Sequence, residues 1–420
     1  MNGSEECGET GLRDATTFTH SLARPQIVFT LAFHEPDPTG SPPSLFVTAL
    51  PATIPDIIRP DPRSAALRRF VSLLAPHDDA ALNRLAAESA AVTRRHFGRT
   101  IRLFAPLYVS NECINNCAYC GFSRDNAILR VTLDVAKVVS EARHLVKEGF
   151  RNVLLVAGEH PKFVSNGYLE SCIRALAPEV PTIALEVAPM EAEEYAPLVR
   201  AGAEGLVVYQ ETYDREAYVR LHTAGPKRDF DWRLACPERA YEGGFRRIGI
   251  GALFGLADWR TEALALASHL DHLLRRCWKA QFTVSLPRLR PCAGGFQPTH
   301  PFTDRDFIQL LCAFRVCFPQ VGLVLSTREP APLRDALLPL GITMMSAGSH
   351  TEPGGYTGQG KEDLHLTVRG RMVAPEGEAE AATGQFEISD DRSPAQIAEL
   401  LRARGFDPVW KDWDSAILTP

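Results

Sequence analysis

Arg102-Leu-Phe-Ala-Pro-Leu-Tyr-Val-Ser110, followed at once by Asn111-Glu-Cys113-Ile-Asn-Asn-Cys117-Ala-Tyr-Cys120-Gly-Phe122, is a short apolar run that ends in a polar, cysteine-bearing loop. The same alternation repeats down the chain. Runs at 102–110, 152–159, 182–189, 205–212, 247–255, 282–289, 322–329 and 343–349 have strand character and are separated by amphipathic helical segments. Those helices include 133–148, 191–201, 261–276 and 304–317. Repeated strand–helix alternation implies an α/β fold, a parallel sheet with helices outside, and eight units close it into a (β/α)8 TIM-type barrel. A doubly wound open sheet would need a glycine-rich phosphate turn after the first strand, and here cysteines hold that place.

The polar residues gather at one end of the runs. Most runs are apolar through the middle and turn reactive at the carboxyl end: Tyr108 and the cysteines, Gly158-Glu159-His160, Glu186, Gln210-Glu211, Arg288, Ser326-Thr-Arg328-Glu329 and Ser346-Ala-Gly-Ser349. In a barrel these ends converge on one mouth, where such folds place their chemistry. Three thiolates spaced Cys113-x3-Cys117-x2-Cys120 can hold three irons of a [4Fe-4S] cluster and leave the fourth iron open to a ligand. A structural zinc would want a fourth Cys or His at short spacing, and the nearest downstream is His144, within a predicted helix.

The chain has 420 residues, enough for one elaborated barrel. A formal charge of −6 offers no basic face and argues against a nucleic-acid partner. No apolar run reaches membrane-spanning length, and the N-terminus lacks a charged segment followed by an apolar one. Ten cysteines with three clustered point to a reducing, cytoplasmic setting. The scattered Cys7, Cys172, Cys236, Cys277, Cys292, Cys312 and Cys317 read as small buried hydrophobes. Residues 1–58 are expected to be a flexible leader and 59–100 an N-terminal helical extension. The barrel takes 101–360, 361–383 reads as a charged mobile insertion, and 384–420 holds a C-terminal helix and tail.

The cysteine loop, Gly158-Glu-His160, Val208-Tyr-Gln-Glu-Thr-Tyr213 and Leu325-Ser-Thr-Arg-Glu329 resemble the aromatic amino acid lyases of the radical S-adenosylmethionine superfamily. Ser346-Ala-Gly-Ser-His-Thr-Glu-Pro-Gly-Gly-Tyr356, Gln385-Phe-Glu-Ile-Ser-Asp-Asp-Arg-Ser-Pro394 and Pro408-Val-Trp-Lys-Asp-Trp-Asp414 are similar to its tyrosine-cleaving branch, which serves bacterial thiazole and thiamine biosynthesis. The resemblance runs from about Pro60 to Asp414 and omits the leader and the 361–383 stretch.

That resemblance implies a [4Fe-4S] cluster on Cys113, Cys117 and Cys120, with S-adenosylmethionine on the open iron. Glu159 would accept from the cofactor's ammonium, Arg233 would pair its carboxylate, and Glu211 would hold the ribose. Tyr119, Phe122, Gly249 and Gly251 would line the adenine. Each carboxylate also has a plain reading as a paired group inside the barrel, and an Arg after a Trp is often only a stacked surface residue. For the substrate, a zwitterion in a dry barrel needs a cation for its carboxylate, and Arg is suited to a bidentate match. Arg328 is that residue, with Ser326 and Thr327 beside it, while Ser346, Ser349 and Tyr108 orient the ammonium or the ring.

The reaction implied is cleavage of the Cα–Cβ bond of L-tyrosine to 2-iminoacetate and p-cresol, with 5′-deoxyadenosine and methionine as co-products. A base is needed, and the sequence does not single one out. The implied partners are a thiazole synthase and an electron donor of flavodoxin or ferredoxin type. A hydrogenase-maturing relative would add a second cysteine-held cluster, and no cysteine follows Cys317. A tryptophan lyase, or a non-catalytic metal-bearing barrel that serves assembly, are the remaining alternatives.

Overall fold

The structure, a computed structural model, describes residues 56–368, 371–375 and 381–411. Apart from Asp56–Ile58, a single 3-10 turn, the leader lies outside the described residues, as do positions 412–414 of the closing motif. Eight strands follow one another around a closed parallel barrel. They are β1 (Thr100–Ser110), β2 (Asn152–Ala157), β3 (Thr182–Glu186), β4 (Ala203–Glu211), β5 (Arg247–Ala252), β6 (Gln281–Ser285), β7 (Gly322–Leu325) and β8 (Met344–Ser346). Closure is made between β1 and β8, with Arg102 opposite Met344 and Phe104 opposite Ser346.

Period-two alternation on a doubly covered sheet explains why these runs read as continuously apolar. In β1 every residue after Thr100 is buried. Leu103, Ala105, Leu107 and Val109 pack outward into the main core beneath the helices, while Phe104 and Tyr108 point into the barrel. The covering helices are α1 (Ala65–Leu73), α2 (Asp79–Phe97), α3 (Val135–Lys147), α4 (Asn166–Leu176), α5 (Ala192–Ala201) and α6 (Arg215–Leu221). They continue as α7 (Phe230–Leu234), α8 (Cys236–Glu242), α9 (Trp259–Arg276), α10 (Asp304–Cys317), α11 (Ala331–Leu337) and α12 (Pro394–Ala403).

The helical extension is made of two helices, α1 and α2. Ser64 and Asp78 cap α1 and α2, and Gly98, at φ 63°, stops α2. Phe70 meets Phe314 of α10 edge-on at 4.8 Å. Gln309 of α10 donates to the carbonyls of Leu73 and Ala75, pinning the turn between the two helices.

The 361–383 stretch, expected to lack regular structure, contains β9 (His365–Val368) and β10 (Arg371–Val373), an antiparallel pair. β9 also pairs with Leu129–Arg130, just beyond the cysteine loop. The last strand, β11 (Asp407–Val409), joins the start of β1 in parallel, with Thr100 opposite Asp407. Among the described residues no helix is long and apolar enough to cross a membrane.

Candidate active site

The cysteine loop leaves the carboxyl end of β1 and is held from beneath by Arg130, which is fully buried. Its guanidinium donates to the carbonyls of Asn111 at 2.6 Å, Phe122 at 3.1 Å and Ser123 at 2.7 Å. Asn126 donates to the carbonyls of Cys120, Gly121 and Ala293. The backbone is packed so closely that side chains are excluded at two points. A Cβ on Gly158 would lie 2.2 Å from the Glu112 carbonyl oxygen, and one on Gly121 would lie 2.5 Å from that of Gln385.

Cys113, Cys117 and Cys120 are free thiols whose charges act on one another. Burial pushes the Cys113 thiol up to about 11, and Glu159 adds to this. Burial raises Cys117 and Cys120 as well, opposed at both by the ammonium of Lys227. Backbone N–H groups of Asn115 and Glu159 favour the Cys113 thiolate, and that of Phe122 favours Cys120. Three thiols ringed by N–H donors and a cation suit an iron–sulfur cluster. No three His, Cys, Asp or Glu side chains among the described residues converge as ligands of a single metal ion. A cluster differs from zinc here, because it spreads its three sulfurs over three irons.

Beside the loop stands a buried quartet of charges. Arg233 Nη1 donates to Glu159 Oε1 at 3.0 Å, and Asn115 donates to Glu159 Oε2 at 2.6 Å. Lys227 Nζ donates to Glu211 Oε1 at 2.7 Å. Burial alone would raise the Glu211 carboxyl, but Lys227 and Arg233 hold it below the usual carboxylate range. Glu211 has φ 72°, the single non-glycine residue with positive φ among the described residues, a strained backbone at a charged position. Arg233 is not a stacked surface residue: it is buried, and Arg239 instead lies over the Trp232 ring at 3.5 Å.

Further inside the barrel is a cavity lined by Tyr108, Glu186, Tyr209, Arg328, Ser326, Ser346 and Ser349, the deep pocket between the quartet and the strands. Arg328 lies on the Phe386 ring, and no carboxylate among the described residues pairs with it. The neighbouring Arg288, by contrast, is paired to Glu329 and Asp304. Ser346 Oγ accepts from the Thr327 N–H at 2.9 Å, whereas the buried Ser349 hydroxyl has no partner among the described residues. Tyr108 donates to Gln385 Oε1 at 2.8 Å, and its ring meets Phe122 edge-on at 5.8 Å. The Gln385 amide in turn reaches the Cys120 sulfur at 3.8 Å, so cavity and cysteine loop share one contact chain.

The radical SAM superfamily model matches residues 107–266, and the biotin and thiamin synthesis associated domain matches 285–407. The 2-iminoacetate synthase of Escherichia coli (strain K12) is 42% identical over 347 residues, covering 82% of this chain and 87% of the relative. This chain belongs to the 2-iminoacetate synthase family. The Salmonella typhimurium 2-iminoacetate synthase is 40% identical over the same shares of each chain. The FeFe-hydrogenase maturase HydG from Carboxydothermus hydrogenoformans superposes with a TM-score of 0.73 at 36% identity, covering 84% of this chain and 77% of that one. The chain is therefore a radical SAM lyase, whose family uses a [4Fe-4S] cluster and S-adenosylmethionine.

For a member of the 2-iminoacetate synthase family, several site residues were not apparent from sequence. Lys227, Asn115 and Gln385 bridge between loops far apart in the chain, and no local pattern marks such bridges. One expected residue lies elsewhere. Gly249 lines a separate cavity at the opposite, amino-terminal mouth, with Arg102, Arg247, Thr283 and Gly322. It faces the same interior as Gly251 but one layer lower, because inward residues recur every second position. Gly251 remains near the upper mouth, where a Cβ would strike the Tyr209 ring at 2.9 Å.

Proposed function

We propose that this chain cleaves the Cα–Cβ bond of L-tyrosine, giving 2-iminoacetate and p-cresol, and passes the former to a thiazole synthase. The observation that carries this reading is Arg328: a cation that lines the cavity over Phe386 with no carboxylate partner among the described residues, in a cavity that Ser349 also lines. An amino acid carboxylate fits that fork bidentately. Tyr108, Ser326 and Ser346 then bound the rest of the zwitterion, and the apolar Phe104, Leu154 and Val156 give the ring its walls.

Cys113, Cys117 and Cys120 hold the cluster in this reading. Glu159 and Arg233 are matched to an ammonium and a carboxylate, and at present they satisfy each other. Glu211, with Lys227 holding it ionised, is placed to accept from hydroxyls. Bound there, the cluster and S-adenosylmethionine would supply the one-electron chemistry that acts on the substrate. The protein's part is to anchor the carboxylate, exclude water through the Gln385–Phe386 segment, and hold the amine towards the cysteine loop.

An electron donor of flavodoxin or ferredoxin type is part of the same proposal. The test is anaerobic incubation of the reconstituted protein with labelled tyrosine and a reductant. p-Cresol and glyoxylate, the hydrolysis product of 2-iminoacetate, are expected, and added thiazole synthase should lower glyoxylate but not p-cresol. Turnover of tryptophan with tyrosine inert would replace the substrate.

A further inference from the structure

We propose that Glu186 is the base that removes the proton from the substrate's ammonium group, leaving the neutral amine from which the hydrogen atom is taken. The proposal rests on the amino acid lyase reading above and names a residue that reading left without a role.

Glu186 is the last residue of β3, and its side chain lines the deep cavity together with Arg328, Tyr209 and Ser285. The other carboxylates named at this mouth are engaged. Glu159 is held by Asn115 and Arg233, Glu211 by Lys227, and Glu262 by the Thr212 hydroxyl and the Tyr213 N–H. None of the described residues donates a hydrogen bond to the Glu186 carboxylate. Glu186 is half-buried and faces the cavity, so its carboxylate is open to accept from the N–H groups of a ligand bound there.

The position selects the ammonium over the phenol. The nitrogen of an amino acid is bonded to the same carbon as its carboxylate, so anchoring the carboxylate on Arg328 brings the nitrogen into the same part of the cavity. Arg328 and Glu186 line the same cavity, and the Arg328 charge acts on Glu186.

The groups facing Glu186 are Tyr108 from β1, Tyr209 and Glu211 from β4, Arg328 after β7, and Arg233 and Lys227 beyond. Burial, with Glu211 adding to it, raises the Glu186 carboxyl to about 7, and Arg328 acts in the opposite sense. A base poised there is ionised above neutrality and binds a proton firmly enough to take it from a desolvated ammonium. The step balances as substrate–NH3+ with Glu186–COO− going to substrate–NH2 with Glu186–COOH. The N–H electron pair stays on nitrogen, and nothing is oxidised or reduced.

The experiment measures p-cresol formation across about pH 6 to 9 for the reconstituted wild type, Glu186→Gln and Glu186→Asp, with iron content and substrate-free 5′-deoxyadenosine formation as integrity readouts. Wild-type kcat should rise through about pH 7 and level off. Glu186→Gln should keep iron and uncoupled 5′-deoxyadenosine formation but lose about 100-fold or more in kcat. Its residual rate should climb with pH, as the substrate amine loses its own proton. Glu186→Asp should retain an acid limb at a lower rate.

A wild-type rate that is flat from about pH 6 to 8, or a Glu186→Gln variant with wild-type kcat at saturating tyrosine and raised KM alone, overturns the assignment and leaves Glu186 a positioning residue. If Glu186→Gln does not fold, the wild-type limb and the aspartate variant still decide. Wild type that forms no p-cresol at any pH overturns the tyrosine reading itself, and this proposal with it.

Discussion

The Arg328 guanidinium carbon lies over the Phe386 ring, 3.4 Å from its centroid. Phe386 arrives from the closing segment, whose Ser389 and Asp390 N–H groups both bond the Thr327 carbonyl. The ring beneath the cation is thereby held in place before any ligand is present, a preorganisation that a bidentate contact exploits. Arg328→Lys keeps the charge but loses both the fork and the stack. Tyrosine binding should weaken by about 2–5 kcal/mol, as when one partner of a buried charge pair is removed. Measurement of the tyrosine Kd with S-adenosylmethionine affinity in parallel checks this, since only the former should move.

A second prediction concerns the cation that sequence did not reveal. Lys227→Met leaves Glu211 buried with Arg233 at 3.7 Å as its remaining cation. Breaking one side of such a pair costs about 3–5 kcal/mol. The Glu211 carboxyl, no longer held down by Lys227, should shift upward. The deficit should therefore shrink on acidification, as protonation removes the stranded charge. Thermal unfolding of variant and wild type at pH 8 and pH 5.5 tests the sign: a deficit that grows at the lower pH would mean that Lys227 serves another partner.

Four buried groups set a distinctive acid response. Burial lowers His222 and His269 to about 3 from 6.5, and burial raises Glu186 and Glu262 to about 7 from 4.5. As pH falls below 6.5 the unfolded chain gains protons at the histidines that the fold refuses, which destabilises it. Between 7 and 4.5 the fold holds protons at the glutamates that the unfolded chain lacks, which stabilises it. These contributions offset one another down to about pH 4.5, below which the histidines act alone, at about 1 kcal/mol per pH unit each. Glu211 and Asp390, held below their usual values, add to that late fall. His269 Nδ1 shares a hydrogen bond with Tyr213 Oη at 3.0 Å, and among the described residues its Nε2 has no partner, so His269→Gln can keep the contact without the titration. Melting temperatures from pH 7 to 3.5 should show a plateau and then a drop, shallower in His269→Gln.

Much of this was legible because barrel strands have a simple signature. All eight runs form strands, since each must be apolar on both faces and turn polar where it reaches solvent at the mouth. Helix ends were equally local: Ser393 caps α12 with Gln396, and Gly405 at φ 77° follows it. The closing motifs were visible only as a resemblance, because what they do is distant in sequence. Trp410 packs on Phe150 at 5.2 Å, and its carbonyl accepts from Asn152. The β9–β10 pair escaped notice because two strands of four and three residues, set in a charged stretch, are too short to show a period of their own. Its anchorage is tertiary, through β9 pairing with Leu129–Arg130 and His365 Nε2 lying 2.7 Å from Glu112 Oε1. Glu186 was in view as a strand end, but its lack of any donor is a property of packing.

The last prediction separates ligand cysteines from packing cysteines. Cys113→Ala, Cys117→Ala and Cys120→Ala should each lose 5′-deoxyadenosine formation and the iron–sulfur absorbance. The apo variants should melt close to the apo wild type, because the loop is held by Arg130, Asn126 and the Gly158 contact rather than by the sulfurs. Cys292 is the demanding control, since its Sγ donates to the Tyr119 carbonyl at 3.3 Å, against the loop itself. That bond is a weak one, and Cys292→Ala should keep its iron and most of its activity. Iron loss in Cys292→Ala as complete as in Cys117→Ala would show a fourth sulfur at the cluster and would close the open iron on which the chemistry depends.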